Sequence, residues 1–175
     1  MRIANILLAM IMTAILAACG GGGGGGSGPS KFRSYNGPEV TRIEVHKGER
    51  RMYLLHNAEV LKAYDIALGF TPEGHKRFEG DGKTPEGHYV IDRLNPRSRF
   101  HLSLGVSYPN LVDRAHAAAN KRSPGGDIFL HGQAGRHRIP GRGTDWTDGC
   151  IAVTDEEIEE IYSMVKIGTP ITIYR

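Results

Sequence analysis

The chain has 175 residues, 39% of them apolar, with 22 Lys and Arg against 19 Asp and Glu. This length suits one domain of ordinary size and leaves little room for a second. A formal net charge of +3, without a cluster of Lys and Arg, argues against a nucleic-acid-binding protein. The averages hide an uneven chain, because 8 of the 24 glycines lie between Gly20 and Gly28.

The first residues have the pattern of a targeting segment. Arg2 is the only charge before an apolar run from Ile6 to Ala18, which only Thr13 interrupts. A helix needs about 20 residues to cross a bilayer, so this shorter run is typical of a secretory signal peptide. Its end, Leu16-Ala17-Ala18-Cys19, resembles a bacterial lipobox, in which the cysteine is lipidated and becomes the first mature residue. We predict a lipoprotein signal over residues 1–18, with an ordinary signal peptide and a chance cysteine as the alternative.

Residues 19–37 are predicted to form a lipid-anchored tether. The stretch from Gly20 to Gly28 is glycine except for Ser27, and such chains behave as flexible coils that bury nothing. A lipid on Cys19 would hold the protein at a membrane surface without spanning the membrane. Gly20 stands where an aspartate is associated with inner-membrane retention in enteric bacteria. We therefore expect a periplasmic protein attached to the outer membrane.

A folded domain is predicted over residues 38–175. Turn residues separate short segments with β-strand patterns, and glycines and prolines mark a long loop between Gly74 and Gly87. The predicted strands lie near residues 43–45, 52–55, 60–68, 89–91, 101–106, 128–131, 149–153 and 171–174. The domain is therefore expected to be mainly β.

Two helices interrupt the predicted strands. Asn110 can cap a short helix that runs through an alanine-rich stretch to Asn120. Thr154 and Glu157 have the spacing of a capping box for the second helix. The apolar residues of the second helix recur at helical spacing and form one stripe: Ile158, Ile161, Tyr162 and Val165. Gly168 ends this helix.

Cys150 and His131 form the candidate reactive pair. With Cys19 assigned to lipidation, Cys150 is the one thiol left in the domain and has no intramolecular disulfide partner. His131 ends a predicted buried strand, and an imidazole there could activate a thiol at the start of the neighbouring strand. Backbone N–H groups around Gly149 could stabilise an oxyanion. On residue types alone, a buried inert cysteine beside an unrelated histidine fits equally well.

The pattern around this pair resembles the signature of the YkuD family of L,D-transpeptidase catalytic domains. That signature is a histidine, a loop, and then Ser/Thr-His-Gly-Cys; here fifteen residues separate His131 from Thr147-Asp148-Gly149-Cys150. Upstream, Thr84-Pro85-Glu86-Gly87-His88-Tyr89 resembles the family's TPxGxY segment. The stretches from His101 to Asn110 and from Gly149 to Ile158 look like the YafK-like branch of the family.

The resemblance covers roughly Val40 to Arg175 and implies a YkuD-type β-sandwich with one or two short helices and an active site at strand ends. By this resemblance Cys150 is the nucleophile. His131 is the base that activates Cys150 and later protonates the leaving amine, and the carbonyl of Gly132 orients the imidazole. Support of the site and of the oxyanion is implied for four residues: Gly149, Gly132, Thr147 and Asp148.

The implied reaction is cleavage of a peptidoglycan stem peptide, and it needs no cofactor. The thiolate attacks the amide between diaminopimelate and D-Ala, D-Ala leaves, and an amine acceptor resolves the thioester into a crosslink or a protein–murein linkage. Asp148 replaces the usual histidine of the family and Ala152 its frequent Arg or Asn. A hydrolase that releases murein-linked lipoprotein or trims crosslinks is therefore an alternative. A murein-binding lipoprotein without activity is another.

Other polar residues are candidates for substrate contacts. Three arginines of the loop between the two motifs could hold substrate carboxylates, or form a solvated loop face: Arg136, Arg138 and Arg142. His101 could approach the active site or be a hydrogen-bonded strand histidine, and Trp146 is a pocket wall or a core anchor. A metal site built from His131, His137 and Cys150 is disfavoured by the spacing of these ligands.

Overall fold

The structure is a computed structural model that describes residues 30–134 and 144–175. The strands are β1 (Arg42–His46), β2 (Arg51–His56), β3 (Glu59–Asp65), β4 (Gly87–Asn95), β5 (Ser103–Val106), β6 (Phe129–His131), β7 (Ile151–Ala152) and β8 (Pro170–Tyr174). The helices are α1 (Leu111–Ala119) and α2 (Asp155–Met164). The described residues contain no helix with the length and apolar character needed to cross a membrane.

One eight-stranded sheet, in the order β3-β2-β1-β8-β4-β5-β6-β7, forms the domain. Neighbouring strands are antiparallel except for the parallel pairs β1 with β8 and β6 with β7. β4 pairs with β8 through its first residues and with β5 through its later ones. The sheet curls on itself, because Ala67, just beyond β3, bridges Ala152 in β7. The predicted mainly β fold with two short helices is confirmed.

The core lies on the inner face of this curled sheet. Ile43 and Val45 of β1 are buried and face Leu54 and Met52 across the antiparallel pair with β2. Buried aliphatic side chains of seven strands and of α2 complete a single apolar cluster. Removing each such side chain from water contributes roughly 1.5–3 kcal/mol to folding. This core fixes the strand ends on which the candidate site stands.

The two predicted helices begin where their capping residues indicate, but α2 ends at Met164, before the predicted end at Gly168. Asn110 caps α1, and Thr154 and Glu157 make the capping box of α2. The buried stripe of α2 consists of Ile158, Ile161 and Met164. Val165, predicted to lie in the helix, is instead its C-terminal cap, although its side chain is still buried. α2 therefore packs its apolar face on the core directly after the segment that holds the cysteine.

Four predicted strands extend beyond the observed ones, and the one near residues 128–131 exceeds β6 by a single residue. β3 ends at Asp65 because residues 66–68 leave the edge of β2 and cross to the segment around β7. β5 begins at Ser103, since His101 has a left-handed φ of 75° that no strand accommodates. β7 begins at Ile151, since Gly149 has a φ of 129°. Of these two irregular positions, Gly149 immediately precedes the candidate nucleophile Cys150.

Candidate active site

Cys150 immediately precedes β7, at the point where the curled sheet closes. β7 runs beside β6 with Ile151 opposite Leu130 and Ala152 opposite His131. Ile151 and Leu130 are fully buried in the core and hold this strand pair in place. Extending this register by one residue puts Cys150 opposite Phe129, two residues before His131, so the thiol and the imidazole lie on the same face of the sheet.

A cavity of about 700 Å³ opens beside these strand ends. Both members of the predicted pair, Cys150 and His131, line it. Its other walls come from four segments, within residues 76–80, 95–103, 125–129 and 146–148. The structure therefore brings the thiol and the imidazole to a common space large enough for part of a peptide.

A hydrogen bond to the next residue orients the imidazole of His131. Its ring is buried, and Nδ1 lies 2.6 Å from the carbonyl oxygen of Gly132. A carbonyl oxygen can only accept, so Nδ1 carries the hydrogen and Nε2 is the basic nitrogen of the neutral ring. The contact matches the one that the family resemblance implies for Gly132. The role of His131 as the base and that of Gly132 in orienting it remain predictions.

Aromatic rings surround the imidazole of His131. The ring of Phe100 stacks on it at 4.4 Å between centroids, and Trp146 meets it edge-on at 5.8 Å. Burial lowers the pKa of His131, while the Gly132 carbonyl and the charge of Asp155 act in the opposite direction. The imidazole is therefore neutral at neutral pH and able to accept a proton.

The turn after His131 is fixed by the start of α2. The carboxylate of Asp155 accepts hydrogen bonds from the backbone N–H groups of Gln133 at 2.5 Å and of Ala134 at 3.1 Å. A Cβ atom on Gly132 would lie 2.9 Å from Ile158 Cγ2 and 3.0 Å from the Phe100 carbonyl oxygen. Glycine is therefore required at residue 132 for this close packing, in agreement with its place in the sequence motif.

The thiol of Cys150 hydrogen-bonds to backbone groups that flank β6. Sγ accepts from the Phe129 N–H at 3.4 Å and donates to the Asp127 carbonyl oxygen at 3.5 Å. Burial raises the pKa of Cys150 to about 11; the Phe129 N–H lowers it, Asp148 and Asp127 raise it, and Lys76 lowers it. The resting pair is therefore a thiol and a neutral imidazole, not a preformed ion pair.

Thr147 orders the backbone next to the thiol. Its Oγ1 donates to the Cys150 carbonyl oxygen at 2.7 Å and accepts from the Gly149 N–H at 3.1 Å. The Gly149 N–H, expected to face an oxyanion, is therefore engaged by Thr147 in the resting site. Asp148 is exposed and forms part of the cavity wall. Trp146 is a wall of this cavity, one of the two positions considered for it.

The structure places His101 away from the candidate site. Its Nε2 lies 2.8 Å from Oε1 of Glu159 on α2, and His101 is not among the residues that line the cavity. The remaining sequence predictions lie outside the described residues: Cys19, Arg136, His137, Arg138 and Arg142, with the signal segment 1–18 and the tether up to residue 29.

Lys76 and Phe100 are among the residues of the cavity wall that the sequence analysis did not predict. Lys76 is 3% exposed, and its Nζ donates to Asp81 Oδ1 at 2.9 Å and to the Phe78 carbonyl oxygen at 3.2 Å. Phe100 forms the stack on His131. Lys76 lies in the glycine-marked loop before the TPxGxY-like segment, but its sequence context did not distinguish it from a solvated lysine. Nothing in the sequence connects Phe100 with His131.

Among residues 30–134 and 144–175, no group of three or more His, Cys, Asp and Glu side chains is arranged to hold a metal ion. The polar groups around the cavity include one thiol, one imidazole, one buried lysine and the backbone turn that Thr147 orders. This set can perform nucleophilic acyl chemistry, with the imidazole as proton carrier.

Comparison with known proteins connects this geometry to a family. The family model for YkuD, the L,D-transpeptidase catalytic domain, matches residues 40–173. YafK of Escherichia coli (strain K12) is 29% identical over 94% of this chain, and the chain spans 64% of the length of that curated relative. The match to the family model ends two residues before the end of the chain and includes both His131 and Cys150.

Solved structures show the same fold. The helical cell shape determining protein Pgp2 from Campylobacter jejuni superimposes with a TM-score of 0.59 at 24% identity, over 83% of this chain and 51% of that one. The catalytic domain of the Enterococcus faecium L,D-transpeptidase superimposes with a TM-score of 0.55 at 16% identity, over 79% of this chain and 100% of that one. At these identities the likeness concerns the fold.

Proposed function

The chain belongs to the YkuD family of L,D-transpeptidase catalytic domains, and on that premise we propose that it is a cysteine L,D-transpeptidase acting on peptidoglycan stem peptides. Family membership supports a peptidoglycan-modifying activity. One observation carries the finer proposal: Cys150 and His131 line one cavity, and the Gly132 carbonyl holds the imidazole as the tautomer whose Nε2 is basic.

The first half of the proposed reaction transfers the acyl group to the enzyme. Both partners are neutral at rest, so the thiol of Cys150 gives its proton to Nε2 of His131 as Sγ attacks the carbonyl carbon between diaminopimelate and D-Ala. The resulting imidazolium then protonates the amine of D-Ala as the C–N bond breaks. D-Ala leaves, and a thioester to Cys150 remains. His131 is neutral again and ready for the second half.

The second half depends on the group that attacks the thioester. An amine acceptor gives up a proton to Nε2 of His131 and forms a new amide as the C–S bond of the thioester breaks, which makes a crosslink or a protein–murein linkage. The imidazolium then returns the proton to the thiolate of Cys150. Water in the same position gives hydrolysis. Asp148 at the cavity wall, where the family usually has histidine, and Ala152 in β7 favour the hydrolase as the second candidate, acting on murein-linked lipoprotein or on crosslinks. A murein-binding lipoprotein without activity is the third.

The place of action is part of the proposal. The apolar run before Cys19 and the lipobox-like Leu16-Ala17-Ala18-Cys19 support a periplasmic protein that is anchored by lipid, with the outer membrane preferred. The glycine-rich stretch that follows would give the domain reach from the membrane to the peptidoglycan. Metabolic labelling with a radioactive fatty acid, compared between wild type and Cys19→Ala, tests the anchor.

A muropeptide assay tests the activity. Wild type and Cys150→Ala are incubated with tetrapeptide muropeptides, and the products are followed by mass spectrometry. Wild type is expected to release D-Ala and to carry a thioester adduct on Cys150, and Cys150→Ala to do neither. Absence of D-Ala release, adduct and dimers alike in wild type would refute the enzyme. Sacculi with bound lipoprotein separate the two enzymatic candidates, because release without new crosslinks indicates the hydrolase.

A further inference from the structure

Residues 31–33, here called the N-terminal strap, cross the outer side of the active-site wall. Nζ of Lys31 donates to the carbonyl oxygen of Pro96 at 2.6 Å and to that of His101 at 3.1 Å. These two carbonyls belong to the ends of one loop, residues 96–101, here called the wall loop. A single ammonium group therefore ties the two ends of the wall loop together.

The strap is also fixed to α2. Nε and Nη2 of Arg33 donate to Oε2 of Glu159 at 3.0 Å and 2.9 Å, and the other oxygen of that carboxylate binds Nε2 of His101 at 2.8 Å. Phe32 packs near Tyr162 on the same helix, with 6.3 Å between ring centroids. Glu159 therefore joins the strap, α2 and the end of the wall loop in one network of charged and polar groups.

The wall loop carries the ring that covers the proposed base. Phe100 stacks on His131 at 4.4 Å between centroids and lies 5.9 Å from Trp146. Inside the loop, the Phe100 N–H donates to Ser98 Oγ two residues away, at 3.1 Å. This local bond orders the backbone but does not hold the loop against the domain. The anchors at residues 96 and 101 come from the strap and from Glu159.

We propose that the N-terminal strap positions the active site: Lys31 and Arg33 hold the wall loop in the place where Phe100 covers His131. Neither strap residue touches the cavity, so both act through the loop. The hydrogen bonds of Lys31, Arg33 and Glu159 are sufficient to support this placement of the wall loop. Its effect on turnover rests on the proposed function.

Trp146 provides a direct measurement, because it is the single Trp of the chain and contacts both Phe100 and His131. Quenching of its fluorescence by acrylamide is measured in the full chain for wild type, Lys31→Met and Arg33→Met. Lys166→Met is the matched control, since Lys166 forms an exposed ion pair of 2.8 Å with Glu39 and does not touch the wall loop.

Both strap variants are expected to show stronger quenching of Trp146 than the control. The ion pairs of Arg33 and Lys166 lie at the surface and contribute little to stability, and the Lys31 hydrogen bonds also have a small net effect. The melting temperatures of the three variants should therefore be similar. kcat/KM for D-Ala release is expected to fall about ten-fold, since displacement of a positioned group by an ångström costs up to about a hundred-fold. Lys31→Arg, which keeps donors for both carbonyls, should restore the wild-type values.

Quenching in Lys31→Met and Arg33→Met equal to that of the control would overturn the proposal. Increased quenching with unchanged kcat/KM would also overturn it. In that case the strap holds the wall loop, but the position of the loop does not affect His131. If wild type releases no D-Ala from any stem peptide, the proposed function fails. The fluorescence comparison still decides whether the strap holds the wall loop.

Discussion

The imidazole of His131 stacks on the phenyl ring of Phe100, with the ring centroids 4.4 Å apart and the planes inclined by 27°. Trp146 meets the same imidazole edge-on, so two sides of the ring are shielded from water. A charged imidazolium loses its hydration in such surroundings, and this burial lowers the pKa of His131. The aromatic cluster thus keeps the proposed base unprotonated at the pH at which it must accept a proton.

Phe100→Leu is expected to raise the pKa of His131 toward its ordinary value. The shorter side chain admits water to the imidazole and reduces the desolvation that depresses this pKa. Because the base works only when unprotonated, the acidic limb of the pH profile of kcat/KM should move to higher pH. NMR titration of the His131 ring protons measures the same change without substrate. Loss of the ring pair should cost about 1 kcal/mol of stability beyond the lost area.

Phe78→Leu is the control for this substitution. Phe78 lies 5.7 Å from the ring of His116 and is not part of the cluster around His131. The Phe78→Leu substitution should leave the titration of His131 unchanged. A His131 titration in Phe100→Leu identical to that of wild type would show that the stack does not set the pKa.

Cys150 is expected to be a protonated thiol at neutral pH and therefore to react slowly with iodoacetamide. The folded-state pKa is raised from 9.0 to about 11, so the thiolate fraction at neutral pH is small. The alkylation rate should rise about ten-fold per pH unit from neutral pH toward 11, because only the thiolate reacts. Mass spectrometry of the Cys150 peptide distinguishes this thiol from Cys19, and the chain unfolded in urea gives the ordinary profile. A rate already constant below pH 8 would instead indicate a preformed thiolate–imidazolium pair.

Asp148→Asn is expected to lower the pKa of Cys150. Asp148 is exposed at the cavity wall, and its negative charge raises the pKa of the thiol by disfavouring the thiolate. The alkylation profile should therefore move to lower pH. Substitution of an exposed residue should change stability by no more than about 0.5 kcal/mol. A profile displaced to higher pH would contradict this electrostatic account.

Lys76→Met is expected to act in the opposite direction. The buried ammonium of Lys76 lowers the pKa of Cys150, so its removal should move the alkylation profile to higher pH. Lys83→Met is the control, because the Lys83 ammonium binds the Glu73 carbonyl oxygen and does not line the cavity. Identical profiles for Lys76→Met and Lys83→Met would show that Lys76 does not influence the thiol.

Local sequence signals were sufficient for much of the fold. The capping residues Asn110 and Thr154 predicted the starts of both helices, because a cap needs only residues within one helical turn. The alternation of Ile43 and Val45 with polar neighbours predicted β1, because this pattern also depends only on residues that are close in sequence. The predicted strand over residues 60–68 was too long, since its end depends on the distant partner Ala152, which local alternation cannot show.

The site was predictable only where its residues form a motif. His131 and Cys150 occur in a recognisable spacing, and the structure brings them to one cavity. Phe100, about thirty residues before His131 in sequence, reaches it only through the pairing of β5 with β6. The protonation of the pair could not be predicted either, because a thiol pKa depends on burial as much as on a nearby base.

Gly149→Ala is expected to destabilise the domain and to reduce activity. Gly149 has a φ of 129°, and an added Cβ would lie 2.5 Å from the Lys83 carbonyl oxygen. The backbone strain costs about 1–3 kcal/mol, and the steric clash adds about 1–3 kcal/mol. Urea denaturation measures the sum. The displaced backbone would also move the neighbouring Cys150 relative to His131, so D-Ala release should fall by at least about ten-fold.

Gly168→Ala separates the stability lost to backbone strain from the stability lost to a steric clash of the added Cβ atom. Gly168 also has a left-handed φ, of 94°, but nothing lies within 4 Å of a Cβ atom there. This variant should lose only the stability that the backbone conformation costs, and it should keep its activity because Gly168 follows α2 away from the cavity. If Gly149→Ala and Gly168→Ala lose the same stability, the close approach of residues 149 and 83 contributes nothing. A larger loss in Gly149→Ala shows instead that this contact requires glycine beside the nucleophile.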